Sequence, residues 1–138
     1  MKNAPIGIFD SGYGGLSVFK EIVKKLPQYD YCYFGDNGNA PYGEKNAEKV
    51  FDLTKNGVAH LFACGAPIVI LACNTASALA LHRLQQEWLP EHFPGRRVLG
   101  VLIPVVEAIV KNVRSGDHIG LLATPATIVS GAYRKELE

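Results

Sequence analysis

The chain reads as an α/β protein in which strand and helix patterns alternate along its whole length, building an open, mainly parallel sheet. Two observations carry that reading. Short apolar runs at residues 6–9, 31–34, 67–72, 98–102 and 118–123 are each followed by a stretch whose apolar residues recur at helical spacing. Units of that length imply parallel strands joined by right-handed crossovers, with helices on both faces of the sheet.

The elements follow in order. Residues 6–9 form a short strand ending at Asp10, and a glycine-rich loop leads to Leu16, Phe19, Ile22, Val23 and Leu26, one face of a helix that stops near Pro27. Residues 31–34 form the next strand, ending at Gly35-Asp36. The loop that follows holds Asn37-Gly38 and Pro41, both turn formers. Residues 44–63 predict a long helix, with Val50, Leu53, Val58, Leu61 and Phe62 toward the core. Residues 67–72 are a buried strand, and from Thr75 a helix runs through Ala78, Leu79, Leu81, His82 and Leu84 to close near Trp88-Leu89-Pro90. Residues 91–97, rich in Pro, Gly and charge, predict a linker. Beyond it come a strand at 98–102, a helix at 105–113, a fifth strand at 118–123 and a last helix at 126–138. Residues 1–97 thus predict a first α/β lobe, and 98–138 the beginning of a second, similar lobe. The last helix stops at Glu138 with no glycine cap, and Glu136 and Glu138 lie at its negative end, which the helix dipole disfavours. A truncated chain is the expectation.

Bulk properties exclude several classes of function. The 138 residues suit about one domain; 48% are apolar and 20% charged, as in an ordinary globular protein. A net charge of +1 with scattered Lys and Arg offers no footprint for nucleic acid. No apolar run reaches membrane-spanning length, and Met1-Lys2-Asn3-Ala4-Pro5 leads into a strand without a signal-peptide core. Cys32, Cys64 and Cys73 are odd in number and lack CxxC spacing, which argues against a disulfide framework or a zinc site and fits a reducing cytoplasm. Cys32 and Cys64 read as structural. The histidines His60, His82, His92 and His118 have no mutual spacing suited to a metal, and no metal is expected.

The chemistry lies where the strands end. Open α/β sheets bind ligands beyond the carboxyl ends of their strands. Asp10-Ser11, Asp36, Cys73-Asn74-Thr75, Pro104 and Thr124 follow the five predicted strands, so polar and reactive residues collect at one edge. Cys73 stands where an apolar strand gives way to the start of a helix, a setting that favours the thiolate. A buried structural cysteine is the competing reading. Asp10-Ser11-Gly12-Tyr13-Gly14-Gly15 lacks both the P-loop ending and the dinucleotide glycine order. It reads either as backbone amides presented to an anion or as a tight turn with Asp10 capping a helix. Thr124-Pro125-Ala126-Thr127 places two hydroxyls at a helix start, for capping or for a ligand. Pro41-Tyr42-Gly43 can be a plain turn with Tyr42 at the surface.

Taken together, Asp10-Ser11-Gly12-Tyr13-Gly14-Gly15, Tyr33-Phe34-Gly35-Asp36, Pro41-Tyr42-Gly43, Ala72-Cys73-Asn74-Thr75-Ala76-Ser77 and Ala123-Thr124-Pro125-Ala126-Thr127 resemble bacterial glutamate racemase in order and spacing. The resemblance covers the chain from near residue 6 to its end. It implies a cytoplasmic, cofactor-independent enzyme that supplies D-glutamate for peptidoglycan, with two similar α/β lobes around the active site and a homodimer in the full-length protein. By that resemblance Cys73 is one of two bases and Asp10 assists its proton traffic. Ser11, Pro41, Tyr42, Gly43, Asn74, Thr75, Thr124 and Thr127 then hold the substrate, glutamate. Two departures stand out. The family's second catalytic cysteine, in a Gly-Cys-Thr-His motif, has no counterpart in these residues, and Asn39 replaces the arginine common before Pro41-Tyr42-Gly43.

Three competing readings exist. Aspartate racemase shares the paired-cysteine logic, although Asp10-Ser11-Gly12 favours the glutamate enzyme. A non-catalytic fragment that binds an anion or amino acid is the second. A receiver-like signalling domain is the third, and it needs an aspartate and a lysine where this chain has Cys73 and Thr124.

Overall fold

A computed structural model describes residues 4–138. The signal-peptide reading of Met1-Lys2-Asn3 lies outside them. Four strands, β1 (Ile6–Asp10), β2 (Tyr31–Gly35), β3 (Ile68–Leu71) and β4 (Arg97–Gly100), form one all-parallel sheet in the order β2-β1-β3-β4. In register, Asp10 lies beside Gly35, Phe9 beside Leu71, and Leu71 beside Gly100. Every strand therefore ends at the same edge.

The helices are α1 (Gly15–Lys25), α2 (Ala47–Ala63), α3 (Asn74–Leu79), α4 (Leu81–Arg83), α5 (Leu89–His92), α6 (Leu102–Asn112), α7 (Pro125–Ser130) and α8 (Ala132–Leu137). α2 begins three residues later than the apolar spacing predicts. Asn46 caps it by accepting from Lys49 N at 2.8 Å, and residues 42–44 form a separate 3₁₀ turn. After α4 the chain winds as a π-helix over Leu84–Trp88 into α5. Pro90 has no N–H to continue the regular ladder there, and the wider turn accommodates it. The linker expected over 91–97 is correspondingly short, since His92 still belongs to α5 and Arg97 opens β4.

The main core lies on one face of the sheet. Phe9, Val69, Leu71 and Val98 meet Val50, Val58, Leu61 and Phe62 of α2, and Ala80, Leu84 and Leu89 beyond it. α1 packs on the other face, where Phe19 stacks on Tyr33 and meets Tyr31 edge-on. Over β3 and β4 that face is thinly covered, leaving Ile70 half-buried and Leu99 47% exposed. A smaller, separate cluster joins Leu102 and Val106 of α6 to Tyr133 of α8.

Two expectations need correction. The fifth strand expected at 118–123 is irregular backbone, with Ile119, Leu121 and Leu122 exposed. An apolar run becomes a strand only where a neighbouring edge accepts its N–H and C=O groups, and among the described residues none adjoins it. The last helix is divided into α7 and α8 by Gly131, whose φ of +64° is the left-handed conformation that glycine adopts freely. Among the described residues no helix is long and apolar enough to cross a membrane.

Candidate active site

The site is assembled at the carboxyl edge of the sheet, beginning with β1. Asp10 is 4% exposed, and its Oδ2 accepts from the backbone N–H of Gly12 at 3.1 Å and of Gly15 at 2.9 Å. The carboxylate therefore sits at the start of α1, where orphan amides need an acceptor. Gly15 is required by the close approach: a Cβ there would lie 2.7 Å from Asp10 Cβ and Cγ and 3.0 Å from Ala72 Cβ. Tyr33 on β2 stands over the same carboxylate, its hydroxyl 3.4 Å from Asp10 Oδ2 and 3.4 Å from Gly12 O. Burial, and after it the charge of Asp10, pushes Tyr33 up to about 12, so it remains a neutral donor.

Cys73 follows β3 and is the N-cap of α3. Ala72 N extends the ladder to Phe9 O at 2.8 Å, and Cys73 Sγ then accepts from Ala76 N at 3.4 Å. The sulfur also lies 3.2 Å from Ser11 Oγ. It is 7% exposed and belongs to the apolar core on one side, while a hydroxyl and a helix-start amide give it polar contacts on the other.

A second group faces this one from the far end of the chain. Thr75, Thr124 and Thr127 form a triangle of hydroxyls, with Oγ1 separations of 3.0 Å for Thr75–Thr124, 3.0 Å for Thr124–Thr127 and 3.4 Å for Thr127–Thr75. Thr124 is exposed and caps α7, while Thr75 and Thr127 are buried. Gly43 packs against Thr124 so closely that a Cβ would sit 2.6 Å from Thr124 Cβ. Pro41, exposed, enters that turn through a cis peptide after Ala40.

Tyr42 is no surface aromatic. It is 1% exposed, its ring lies 6.2 Å from that of Phe9, and its hydroxyl donates to Asp36 Oδ2 at 2.7 Å. Burial and that bond push its ionisation far above the ordinary phenol range. With the phenol committed to Asp36, only the backbone of residues 42–43 is left to meet a ligand. Asn39 Nδ2 donates to both Asp36 oxygens, at 2.9 and 3.1 Å, so this residue anchors the loop where the family's arginine is absent.

Reasoning from sequence passed over three contributors. Asp36 appeared as a strand-end residue but not as the anchor of the 37–43 loop. Tyr33 lay inside a recognised motif without a role. Tyr133 carried no signal at all, although its hydroxyl donates to the otherwise exposed Asn74 Oδ1 at 2.5 Å. Such a pairing across 59 residues exists only in three dimensions. Cys32 and Cys64 lie toward the opposite end of the sheet, since Cys32 pairs with Gly7 and Cys64 caps the end of α2.

The arrangement brings a sulfur, a carboxylate and a set of hydroxyl and amide donors to the carboxyl edge of the sheet. No family model matches the chain. Over 96% of its length it is 47% identical to glutamate racemase of Jannaschia sp.. Its fold superposes on glutamate racemase isoform RacE1 from Bacillus anthracis with a TM-score of 0.88 at 37% identity over 99% of the chain. Glutamate racemase from Francisella tularensis in complex with D-glutamate aligns with a TM-score of 0.83 at 35% identity, also over 99%. The chain spans about half the length of the relatives it matches: 51% of the Jannaschia protein and 49% of each of these two structures.

Proposed function

We propose that this chain carries one half of the catalytic apparatus of a glutamate racemase, the family it matches in sequence and fold over nearly all its length. The reaction is inversion at Cα of glutamate, without a cofactor, to supply D-glutamate for peptidoglycan in the cytoplasm. The observation that carries the reading is Cys73: a sulfur at a helix start, beside Ser11, the residue that follows the amide-held Asp10.

Inversion needs a base on one face of Cα and an acid on the other. Cys73 takes the α-proton of the D-isomer: the C–H bond breaks, S–H forms, and the electron pair is delocalised into the α-carboxylate. Fixed donors must stabilise that charge in a site from which water is excluded. Ser11, Asn74, Thr75, Thr124, Thr127 and the backbone of residues 41–43 are the groups available to grip the two carboxylates and the ammonium of glutamate. Asp10 assists proton movement at Cys73. The acid for the opposite face is a second cysteine that these residues do not supply, because Cys32 and Cys64 stand at the other end of the sheet.

Residues 1–97 are the first lobe on this reading, and 98–138 begin a second. The separate small core around Leu102, Val106 and Tyr133 supports that division, while β4 docks on the first sheet. The complete enzyme is a homodimer that binds neither nucleic acid nor membrane. Titration calorimetry with D-glutamate, L-glutamate and aspartate, together with protection of Cys73 from alkylation, tests the substrate assignment. Binding and protection by D-glutamate are expected. Absence of both, or a preference for aspartate, rejects it.

A further inference from the structure

β2 and α2 run antiparallel across one face of the sheet, and their side chains meet in sequence. Phe34 of β2 stacks on Phe9 and lies 5.3 Å from the ring of His60 on α2. Two residues back along β2, on the same face, is Cys32. One turn onward from His60 is Cys64. The two steps are nearly equal, about 6.6 Å along a strand and about 6 Å along a helix. Equal steps from the Phe34–His60 contact therefore carry Cys32 and Cys64 to the same end of the β2–α2 seam.

Nothing intervenes. The in-register neighbour of Cys32 is Gly7, which has no side chain, and a Cβ there would already touch Leu61 Cβ and Ala66 Cβ at 3.3 Å. Burial, and after it the neighbouring Cys64 thiol, pushes the Cys32 thiol up. Both cysteines are free, Cys32 half-buried and Cys64 exposed at the cap of α2. An exposed thiol beside a sheltered one is the arrangement in which the first meets an oxidant and the second resolves it.

We propose that Cys32 and Cys64 are a reversible thiol pair that hydrogen peroxide converts to an intramolecular disulfide joining β2 to the end of α2. The Cys64 thiolate attacks one peroxide oxygen, the O–O bond breaks, and Cys64 becomes a sulfenic acid as hydroxide leaves and takes up the proton the thiol had released, giving water. Cys32 sulfur then attacks Cys64 sulfur; the S–S bond forms, the S–O bond breaks, and the departing hydroxide takes the Cys32 proton as a second water. Two thiols are oxidised by two electrons and one peroxide is reduced. Cys73, at the other end of the strands, takes no part. Neither step depends on the racemase reading.

Thiol titration and non-reducing peptide mapping of the purified chain, before and after peroxide, test this directly. Free thiols should fall from three to one. A single cross-linked peptide pair should contain Cys32 and Cys64, and dithiothreitol should restore all three. Cys64→Ser should abolish the cross-link. Cys32→Ser, checked for native circular dichroism, should leave Cys64 as a sulfenic acid that dimedone captures. The wild-type map decides the matter even if a variant misfolds. Cross-linking of Cys64 between two chains, over-oxidation of Cys64 without a partner, or three surviving thiols overturns the proposal.

Discussion

Ser11 Oγ and Cys73 Sγ stand 3.2 Å apart although 62 residues separate them in the chain. The contact exists because β1 and β3 are adjacent and in register, so the residues just past each strand meet. Either atom can be the donor in this contact, and a hydrogen bond between neutral groups is worth about 0.5–1.5 kcal/mol. Ser11→Ala should therefore change the rate of Cys73 alkylation by roughly two- to tenfold. Iodoacetamide kinetics at fixed pH measure this, and an unchanged rate would show that the serine is only a neighbour.

Gly15→Ala should destabilise the fold by about 1–3 kcal/mol, the usual cost of overpacking. The new methyl group would sit 2.7 Å from Asp10 Cβ and Cγ, so the carboxylate must move or α1 must tilt away. Urea denaturation reads the loss. Full stability would mean that the loop is looser than its contacts indicate.

Thr127→Val keeps the volume of a side chain only 1% exposed but removes its hydroxyl from the threonine triangle. A loss of about 1 kcal/mol is expected. Any affinity for D-glutamate should fall with it, whereas Ile128→Val, on the exposed side of the same helix, should change neither by more than about 0.5 kcal/mol. Equal effects from the two substitutions would remove the triangle from consideration.

Tyr33 and Tyr42 should be the last phenols to ionise. In the folded chain Tyr33 titrates near 12 rather than 10, and Tyr42 higher still, chiefly through burial. Because the folded pKa values are raised, their contribution to stability is complete below about pH 10 and lost as pH rises toward 12 and beyond. Absorbance at the phenolate band, followed together with circular dichroism, should show part of the phenolate signal appearing only with the loss of structure. Ionisation of every tyrosine ahead of unfolding contradicts this.

These 138 residues alone should not convert L-glutamate to D-glutamate, since one base cannot both remove and return the proton on opposite faces. A coupled assay run beside a full-length homologue is the check. Robust turnover would defeat the two-base reading for this chain.

Much of this was legible in the residues themselves. Apolar runs of strand length ending in Asp10, Gly35-Asp36 and Cys73 placed three strand ends at one edge, because parallel strands point the same way. Thr124 is a recognisable cap that accepts from Thr127 N, whereas Asn46, which caps α2, lay inside the helix expected from Glu44. Residues 118–123 misled, since their pattern suits a strand but no partner strand lies beside them among the described residues. Tyr42 misled in the opposite sense: a tyrosine between Pro41 and Gly43 looks like a turn tip, but Asp36 and Phe9 draw it inward.

Local pattern was enough to determine the alternation of elements, the apolar strand bodies and the thiol at a helix start, because each depends on neighbours within a few positions. Only the folded chain decided which distant groups touch. Ser11 with Cys73, Asp36 with Tyr42, and Tyr133 with Asn74 are consequences of strand order, register and helix docking. Such contacts are set by where the core closes, and no spacing along the chain encodes that.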